Sequence, residues 1–196
     1  MNGYNIDLKK QIEILEKIVH SNKILENILE KAVEIGLKHY FIGAGCIAQT
    51  VWNYQMNLDL MYGISDIDFV YYDSSDLSIE TENTIIGKIN ICMEHCPIKF
   101  DIKNQARVHL WYKKHFGYDI KPYGSLEEAI NTWPTTATSI GIRQNGDEFC
   151  IYAPFGLNDL FGLIVKANKA QITEEIYMQK VNKWRAKWPL LKIIPW

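Results

Sequence analysis

Residues 65–72 constrain the fold more than any other part of the chain, because they combine a short apolar run with two closely spaced acids. Alternate residues of a β-strand point to opposite faces of its sheet. In a strand, Asp66 and Asp68 would therefore share one face, while Ile67 and Phe69 would share the other. The apolar face can be buried, and the two carboxylates then face a cleft.

Two carboxylates held this close repel each other unless a cation lies between them. A third acid, Asp101, lies in the apolar run 98–102 that follows Pro97. Residues 77–93 between the two runs have helical spacing of apolar residues, which predicts strand, helix and strand in sequence. Asp101 would then complete the acidic site from a neighbouring strand. An acidic strand end beside a turn would equally explain the pair of acids taken alone.

A glycine-containing turn precedes the acidic strand by about twenty residues. Residues 39–42 predict a short buried strand, and residues 46–54 predict a helix. Gly43, Ala44 and Gly45 connect the two. Backbone N–H groups at the start of such a helix can bind a phosphate, and missing side chains allow close approach. A tight turn alone explains the glycines equally well.

The remaining segments predict a mixed α+β protein. Helical spacing predicts helices over 8–20 and 23–36 and again over 126–132, 157–165 and 173–188, while 139–143 and 149–152 predict a hairpin. We divide the chain into N-terminal helices packed on the core (1–36), a catalytic core (37–117) and a C-terminal hairpin and helical part (118–196). The last part is expected to form one compact unit with the core.

Composition narrows the class of protein. The chain has 196 residues, of which 47% are hydrophobic, so it can bury a substantial core. A formal charge of −2 argues against a globally basic nucleic-acid binder. The four cysteines form no paired C-x-x-C elements, and no apolar run reaches the roughly 18 residues of a membrane span. We expect a reduced, cytoplasmic protein without a membrane partner.

Polar residues directly follow the third acid, at the start of an amphipathic segment over 103–116 that predicts a helix ending at Gly117. Asn104, Gln105 and Arg107 are the nearest candidates for contacting a substrate phosphate or sugar, and the forked donors of Arg107 favour it for this role. The hydroxyls of residues 135–138 are candidates for a base or ribose pocket.

In the last predicted helix, Trp184 and Trp188 are interpreted mainly as core residues, with base stacking as the alternative. The lysines near the end of the last helix suit its dipole without any ligand.

Taken together, these motifs resemble the nucleotidyltransferase superfamily typified by DNA polymerase beta. The chain is similar, more narrowly, to a bacterial nucleotidyltransferase family. The stretches that carry the resemblance are residues 43–46, 50–53, 66–73, 101–112, 133–138 and 153–161. Two departures stand out. Many members of the superfamily have Gly-Gly or Gly-Ser where this chain has Gly43-Ala44-Gly45, and Lys166 stands where the narrower family tends to place an arginine.

The resemblance implies a polymerase beta-like nucleotidyltransferase fold, with a mixed sheet flanked by helices. It also implies transfer of a nucleoside monophosphate from an NTP to an acceptor hydroxyl, with pyrophosphate leaving. The metal ligands and catalytic residues implied are Asp66, Asp68 and Asp101, which would hold Mg²⁺ or Mn²⁺. The nucleotide-binding residues expected are Gly43, Ala44, Gly45, Asn104 and Arg107.

ATP is the default nucleotide, and the acceptor is open among a small molecule, a protein and an RNA end. Two other functional classes also remain open at this point. One is a nucleotide-sensing or RNA-associated binding module that keeps the pocket but performs no chemistry. The other is a metal-dependent phosphohydrolase that uses the same carboxylates.

Overall fold

The computed structural model describes residues 2–196. The helices are α1 (Leu8–Ser21), α2 (Lys23–Glu34), α3 (Gly45–Gln55), α4 (Ile79–Cys92), α5 (Val108–Phe116), α6 (Leu126–Ile130), α7 (Asn158–Phe161) and α8 (Glu174–Lys187). The strands are β1 (Tyr40–Gly43), β2 (Asp66–Tyr71), β3 (Lys99–Asn104), β4 (Gly141–Asn145), β5 (Glu148–Tyr152), β6 (Ile164–Val165) and β7 (Lys192–Ile193). A single 3₁₀ turn, Gln105–Arg107, joins β3 to α5.

Five strands form a mixed sheet in the order β3-β2-β1-β4-β5. Strand β2 pairs parallel with β3, while β1 pairs antiparallel with both β2 and β4. Strands β4 and β5 form the antiparallel hairpin predicted for 139–152. β6 and β7 make a separate two-stranded parallel pair. The predicted α+β class, with helices flanking a mixed sheet, is confirmed.

One face of the sheet packs into the main hydrophobic core. Ile67 and Phe69 of β2 are fully buried there, together with apolar residues of α1, α2 and α3. The helices can pack on this face because apolar residues at helical spacing form one apolar side of each helix, as Leu25, Ile28 and Leu29 do in α2. The alternation in β2 therefore places its apolar residues against helices and its acids on the opposite face.

The opposite face of the sheet is covered only in part. A small cluster of Phe41, Val70, Leu126 and Ile130 packs there, and Trp133 lies against it. This cover comes from α6 and the residues after it. The acids that precede Val70 on β2 are left beside open space.

Two segments differ from the sequence predictions. The predicted helix over 157–165 ends at Phe161, because Leu163 adopts a positive φ of 56° and the chain then enters β6. The amphipathic segment after Asp101 is not one helix. It continues β3 to Asn104, turns through Gln105–Arg107 and only then becomes α5.

Among residues 2–196, none of the helices combines the length and the apolar character that crossing a membrane requires.

Candidate active site

Asp68 and Asp101 lie side by side in the sheet. They are register partners on the parallel strands β2 and β3, so their side chains leave the same face. The predicted approach of the third acid from a neighbouring strand is thus what the topology produces. β1 lies on the other side of Asp68, where Gly43 is the register partner of this acid. Gly43, where the glycine turn begins, therefore lies beside the two acids, on three adjacent strands.

A cavity of about 440 Å³ lies over this junction. Its lining includes all three acids, Asp66, Asp68 and Asp101, and the start of α3 at Ala44 and Gly45. Asp66 is exposed, and its carboxylate accepts a hydrogen bond of 2.6 Å from the Ser65 hydroxyl. The three acids and the turn that the sequence singled out thus line one space.

The electrostatics of the cavity are concentrated on Asp68. Burial raises the pKa of Asp68 to about 7, and the negative charges of Asp101 and Asp66 add to this effect. Lys103 and Lys180 act in the opposite direction but do not cancel it. A partly buried carboxylate that repels its neighbours in this way would be stabilised in its charged form by a cation.

The oxygen-only donor set of these acids suits a hard cation such as Mg²⁺. Within residues 2–196, no group of three or more His, Cys, Asp or Glu side chains is gathered closely enough to hold a metal ion. The Lys103 ammonium contacts the Asp101 carboxylate directly. The chemistry of the three acids fits the ion, and binding would require Asp101 to exchange its lysine partner for it.

The glycine turn has a specific backbone geometry. Ala44 has φ 56° and ψ −126°, a conformation that favours glycine, and its N–H donates to the Ile140 carbonyl at 2.9 Å. A Cβ on Gly43 would lie 2.4 Å from that same carbonyl oxygen and 3.0 Å from the Trp133 ring. Gly43 and Ala44 are thus committed to packing β1 against the segment before β4.

These contacts correct part of the prediction for the turn. The Ala44 amide is already used within the protein, and Gly43 is paired in the sheet, so neither N–H is presented to a phosphate. The N-terminus of α3 itself has no side-chain cap, and Gly45, the first residue of the helix, lines the cavity. The anion-binding potential of this turn therefore lies at Gly45 and the residues just after it.

Comparison with known proteins agrees with this geometry. A model of the family described as Nucleotidyltransferase matches residues 30–193. The chain belongs to this family. Among proteins of curated function, none matches at a significant level.

A solved NMR structure, described as revealing a CCA-adding enzyme head domain, superposes on this member of the nucleotidyltransferase family with a TM-score of 0.73. The two chains are 23% identical, and the similarity covers 92% of this chain and 96% of the other. At this identity the likeness is one of fold. The prediction of a nucleotidyltransferase superfamily member is confirmed.

Asn104, which we predicted to contact a nucleotide, is bonded within the protein in this nucleotidyltransferase. Its side chain is buried and hydrogen-bonds the backbone of Asp73 in both directions, at 3.0 and 2.8 Å, and accepts from the Ala106 N–H at 3.1 Å. It caps the 3₁₀ turn and ties it to the end of β2. These bonds leave it no place in the cavity.

Arg107 is also structural in this family member. Its Nε donates to the Leu77 carbonyl at 2.8 Å, and its guanidinium forms a buried ion pair with Glu82 of α4. Glu82 in turn accepts from the Asn104 N–H at 2.9 Å. The structure does not bring these two residues to the cavity, because their polar groups face α4 and the end of β2.

The structure also adds residues that the sequence did not single out for this nucleotidyltransferase cavity. Lys180 and Lys183 of α8 line its wall, as do Trp133 and Gln49. Trp184, for which base stacking was the alternative interpretation, lines the cavity as well. The Oε1 atom of Gln49 is buried and has no hydrogen-bond partner within residues 2–196. The only sequence signal for the lysines was the charge order of the last helix, which its dipole already explained.

Trp184 of α8 and Trp188, which directly follows this helix, have different roles. Trp188 is fully buried, and its indole N–H donates to Asn53 Oδ1 of α3 at 2.7 Å. Trp184 lines the cavity and packs edge-on against Trp52 of α3, with 5.6 Å between ring centroids. α8 is therefore fixed to α3, and its lysines lie beside the same cavity as the start of α3.

Proposed function

We propose that this protein transfers a nucleoside monophosphate from an NTP to a hydroxyl group of an acceptor, with release of pyrophosphate. The observation that carries the proposal is the in-register pair of Asp68 and Asp101 beside the uncapped start of α3. Membership in the nucleotidyltransferase family supports the same reaction class.

The phosphate groups of the NTP would lie at the start of α3. Its first amides and the positive end of its dipole favour an anion there. Lys180 and Lys183 face the same cavity from α8 and would add two positive charges against the triphosphate. Because α8 is packed on α3 through Trp184 and Trp188, these donors hold a fixed arrangement.

Asp66, Asp68 and Asp101 would hold Mg²⁺ or Mn²⁺. When bound, such an ion stabilises negative charge on the transferring phosphate and makes an acceptor hydroxyl easier to deprotonate. Asp68 supports this assignment, since its raised pKa reflects a carboxylate that lacks a nearby positive charge strong enough to balance it.

The bonds in this reaction balance without a further reactant. The acceptor oxygen forms a bond to the α-phosphorus, and the bond between that phosphorus and the bridging oxygen of the β-phosphate breaks. The electron pair of the broken bond leaves with pyrophosphate. The hydroxyl proton passes to the Asp101 carboxylate, which lines the cavity and is partly exposed. Lys103 must move off Asp101 before that carboxylate can accept the proton.

The acceptor would be a small molecule, a protein or an RNA end. The four cysteines are free, which suits a reduced cytoplasmic setting.

The test is to incubate purified protein with each α-labelled NTP, beginning with ATP, together with Mg²⁺ or Mn²⁺ and fractionated cell extract. Transfer of the label to one fraction, with pyrophosphate released in equal amount, is the expected result.

The matched variants are Asp66→Asn and Asp147→Asn. Asp66 lines the cavity, whereas Asp147 is exposed in the turn between β4 and β5. Asp66→Asn should abolish label transfer, and Asp147→Asn should retain it. Release of labelled nucleotide without any acceptor would instead indicate a phosphohydrolase. Tight NTP binding without turnover under every condition would indicate a binding module, and either outcome would reject the proposal.

A further inference from the structure

A second cavity, of about 270 Å³, adjoins the first on the same face of the sheet. Asp68, Trp133, Pro134 and Lys180 line both cavities, so the two spaces meet at the acid in the middle of the site. The proposed function assigns phosphates to the first cavity. It does not assign anything to the second.

The walls of this second cavity are mainly aromatic. Trp111, Tyr112 and Phe116 of α5 form one side, and Tyr123 and Trp133 contribute further rings. Aliphatic residues of β2 and α8 complete it. Aromatic side chains that surround a small space can stack on a flat ring, and this preference does not depend on one base sequence.

Charges lie only at one end of the lining. The charged residues among those that line the cavity are Asp68, Lys103 and Lys180. Asp68 and Lys180 belong to the shared boundary with the first cavity, and Lys103 contacts Asp101 there. A ligand complementary to this space is therefore flat and largely apolar, with an anionic group at the end next to the acids.

The amide side chains of Gln105 and Gln171 also lie on the lining. The Gln171 Oε1 atom accepts a hydrogen bond of 2.9 Å from the Tyr123 hydroxyl, which fixes its orientation. The volume is close to the lower end of the roughly 300–1,000 Å³ range of small-molecule pockets, so it suits one ring system with its sugar. It does not suit a protein segment or a long RNA strand.

We propose that this aromatic cavity binds the nucleobase of the NTP, while the α-phosphate lies at its boundary beside Asp68 and Lys180. This inference rests on the proposed function, because it assumes that the first cavity holds the triphosphate. Specificity among NTPs would then be set by α5, Trp133 and the residues of α8 that face this space. The acceptor would approach from outside the aromatic cavity.

The test compares four NTPs with inorganic tripolyphosphate, which has the three phosphates but no base. Binding of ATP, GTP, CTP, UTP and inorganic tripolyphosphate is measured by calorimetry with Mg²⁺ present. The wild-type protein should bind at least one NTP about 10-fold or more tightly than tripolyphosphate. Trp111→Ala should weaken the binding of that NTP by about 10-fold and leave the binding of tripolyphosphate unchanged.

A second variant acts by filling the cavity instead of opening it. Ile176→Trp, in α8, should also weaken NTP binding without changing tripolyphosphate binding. This result is expected even if neighbouring side chains fill the space that Trp111→Ala leaves. The control is Leu110→Ala, because Leu110 is on the same helix as Trp111 but is 56% exposed and lies outside the lining. It should change neither affinity, and circular dichroism should show the wild-type fold in all variants.

The outcomes separate the two proposals. If the wild-type protein binds neither the NTPs nor tripolyphosphate, the proposed function itself fails. If it binds both but Trp111→Ala and Ile176→Trp leave the NTP affinity unchanged, the nucleobase assignment is overturned and the proposed function stands. If these variants change only the KM for an acceptor, the cavity holds the acceptor, and the assignment is likewise overturned.

Discussion

Asp101 touches Lys103 of its own strand, although its register partner across the sheet is Asp68. Both neighbours leave the same face of β3 and β2, so one carboxylate lies between a like charge and an opposite charge. The lysine partly balances the acids in the absence of any ion. The acidic centre is therefore strained electrostatically at Asp68, the residue with the raised pKa.

Removing this strain should separate stability from activity. Asp68→Asn deletes the charge that burial and the two other acids oppose, so the variant should be more stable than wild type at neutral pH without metal. The same variant should lose nucleotidyl transfer. Urea denaturation in EDTA and the label-transfer assay measure the two effects. A variant that is less stable, or that stays active, contradicts the assigned role.

The pH dependence of this effect has a definite sign. The pKa of Asp68 is about 7 in the folded protein and 3.8 when unperturbed, so the folded state binds more protons between these values. The free energy of unfolding of metal-free protein should therefore fall as pH rises from about 4 to about 7, by at most about 4 kcal/mol from this group. Asp68→Asn should lack that contribution, which denaturation at pH 5 and pH 7.5 would reveal.

Arg107 should matter for stability and not for nucleotide binding. Its guanidinium forms a buried ion pair with Glu82, and neither residue lines the cavity. Arg107→Met leaves an uncompensated buried carboxylate, which should cost about 3–5 kcal/mol of the free energy of unfolding. The double variant Arg107→Met with Glu82→Leu should recover part of this loss. In the soluble folded fraction, the KM for NTP should equal that of wild type, and a raised KM would restore Arg107 to the site.

The lysines of α8 should show the opposite behaviour. Lys180 and Lys183 are exposed and line the cavity, so Lys183→Ala or Lys180→Ala should raise the KM for NTP several-fold and change the unfolding free energy by less than about 0.5 kcal/mol. Arg185→Ala is the matched control, as Arg185 is exposed on the same helix but outside the lining. If all three changes raise the KM for NTP equally, the lysines act only through the general positive charge of α8 and not through contact with the triphosphate.

The glycine turn offers a test of packing. Gly43→Ala places a methyl group against the Ile140 carbonyl and the Trp133 ring, so it should destabilise the protein by about 2 kcal/mol or more. Gly87→Ala is the contrast, because a Cβ at this position in α4 meets nothing within 4 Å. It should stabilise by about 0.5–1 kcal/mol. Thermal unfolding of both variants provides the comparison.

Ala44 allows a change in the stabilising direction within the same turn. Its φ of 56° is costly for a residue with a Cβ, and glycine adopts it freely. Ala44→Gly should therefore raise the unfolding free energy by about 1 kcal/mol and keep the nucleotide affinity. Ala44→Val, which adds a β-branched side chain at positive φ, should lower it. If Ala44→Gly is destabilising, the backbone of the turn is not strained.

The sequence was informative where local pattern and topology agree. Alternation in β2 placed Asp66 and Asp68 on the face opposite Ile67, and this followed from the period of a strand alone. The strand, helix and strand order then led to Asp101 on a parallel neighbour. These features depend on residues that are close in sequence or joined by one crossover.

The contacts that the sequence did not reveal share a different cause. Asn104 and Arg107 were assigned to substrate because they follow Asp101. In the structure β3 continues to Asn104, whose side chain bonds the Asp73 backbone, and the next turn directs the Arg107 guanidinium to Glu82 of α4. Lys180 and Lys183 were explained by the helix dipole, since nothing near them in sequence indicates that Trp188 anchors their helix to α3. Which face a polar residue presents, and which distant helix joins a site, are decided by tertiary packing.

The docking of α8 on α3 also has a consequence for synthesis of the chain. The three acids and the glycine turn all lie before residue 102, whereas the lysines of the cavity and Trp188 lie after residue 179. Chains fold from the N-terminus as they are made, so the acids can be in place while α8 is still unmade. A chain synthesised only as far as residue 173 would hold the three carboxylates without Lys180 and Lys183, and these lysines would join the cavity only after α8 has been made and has packed on α3.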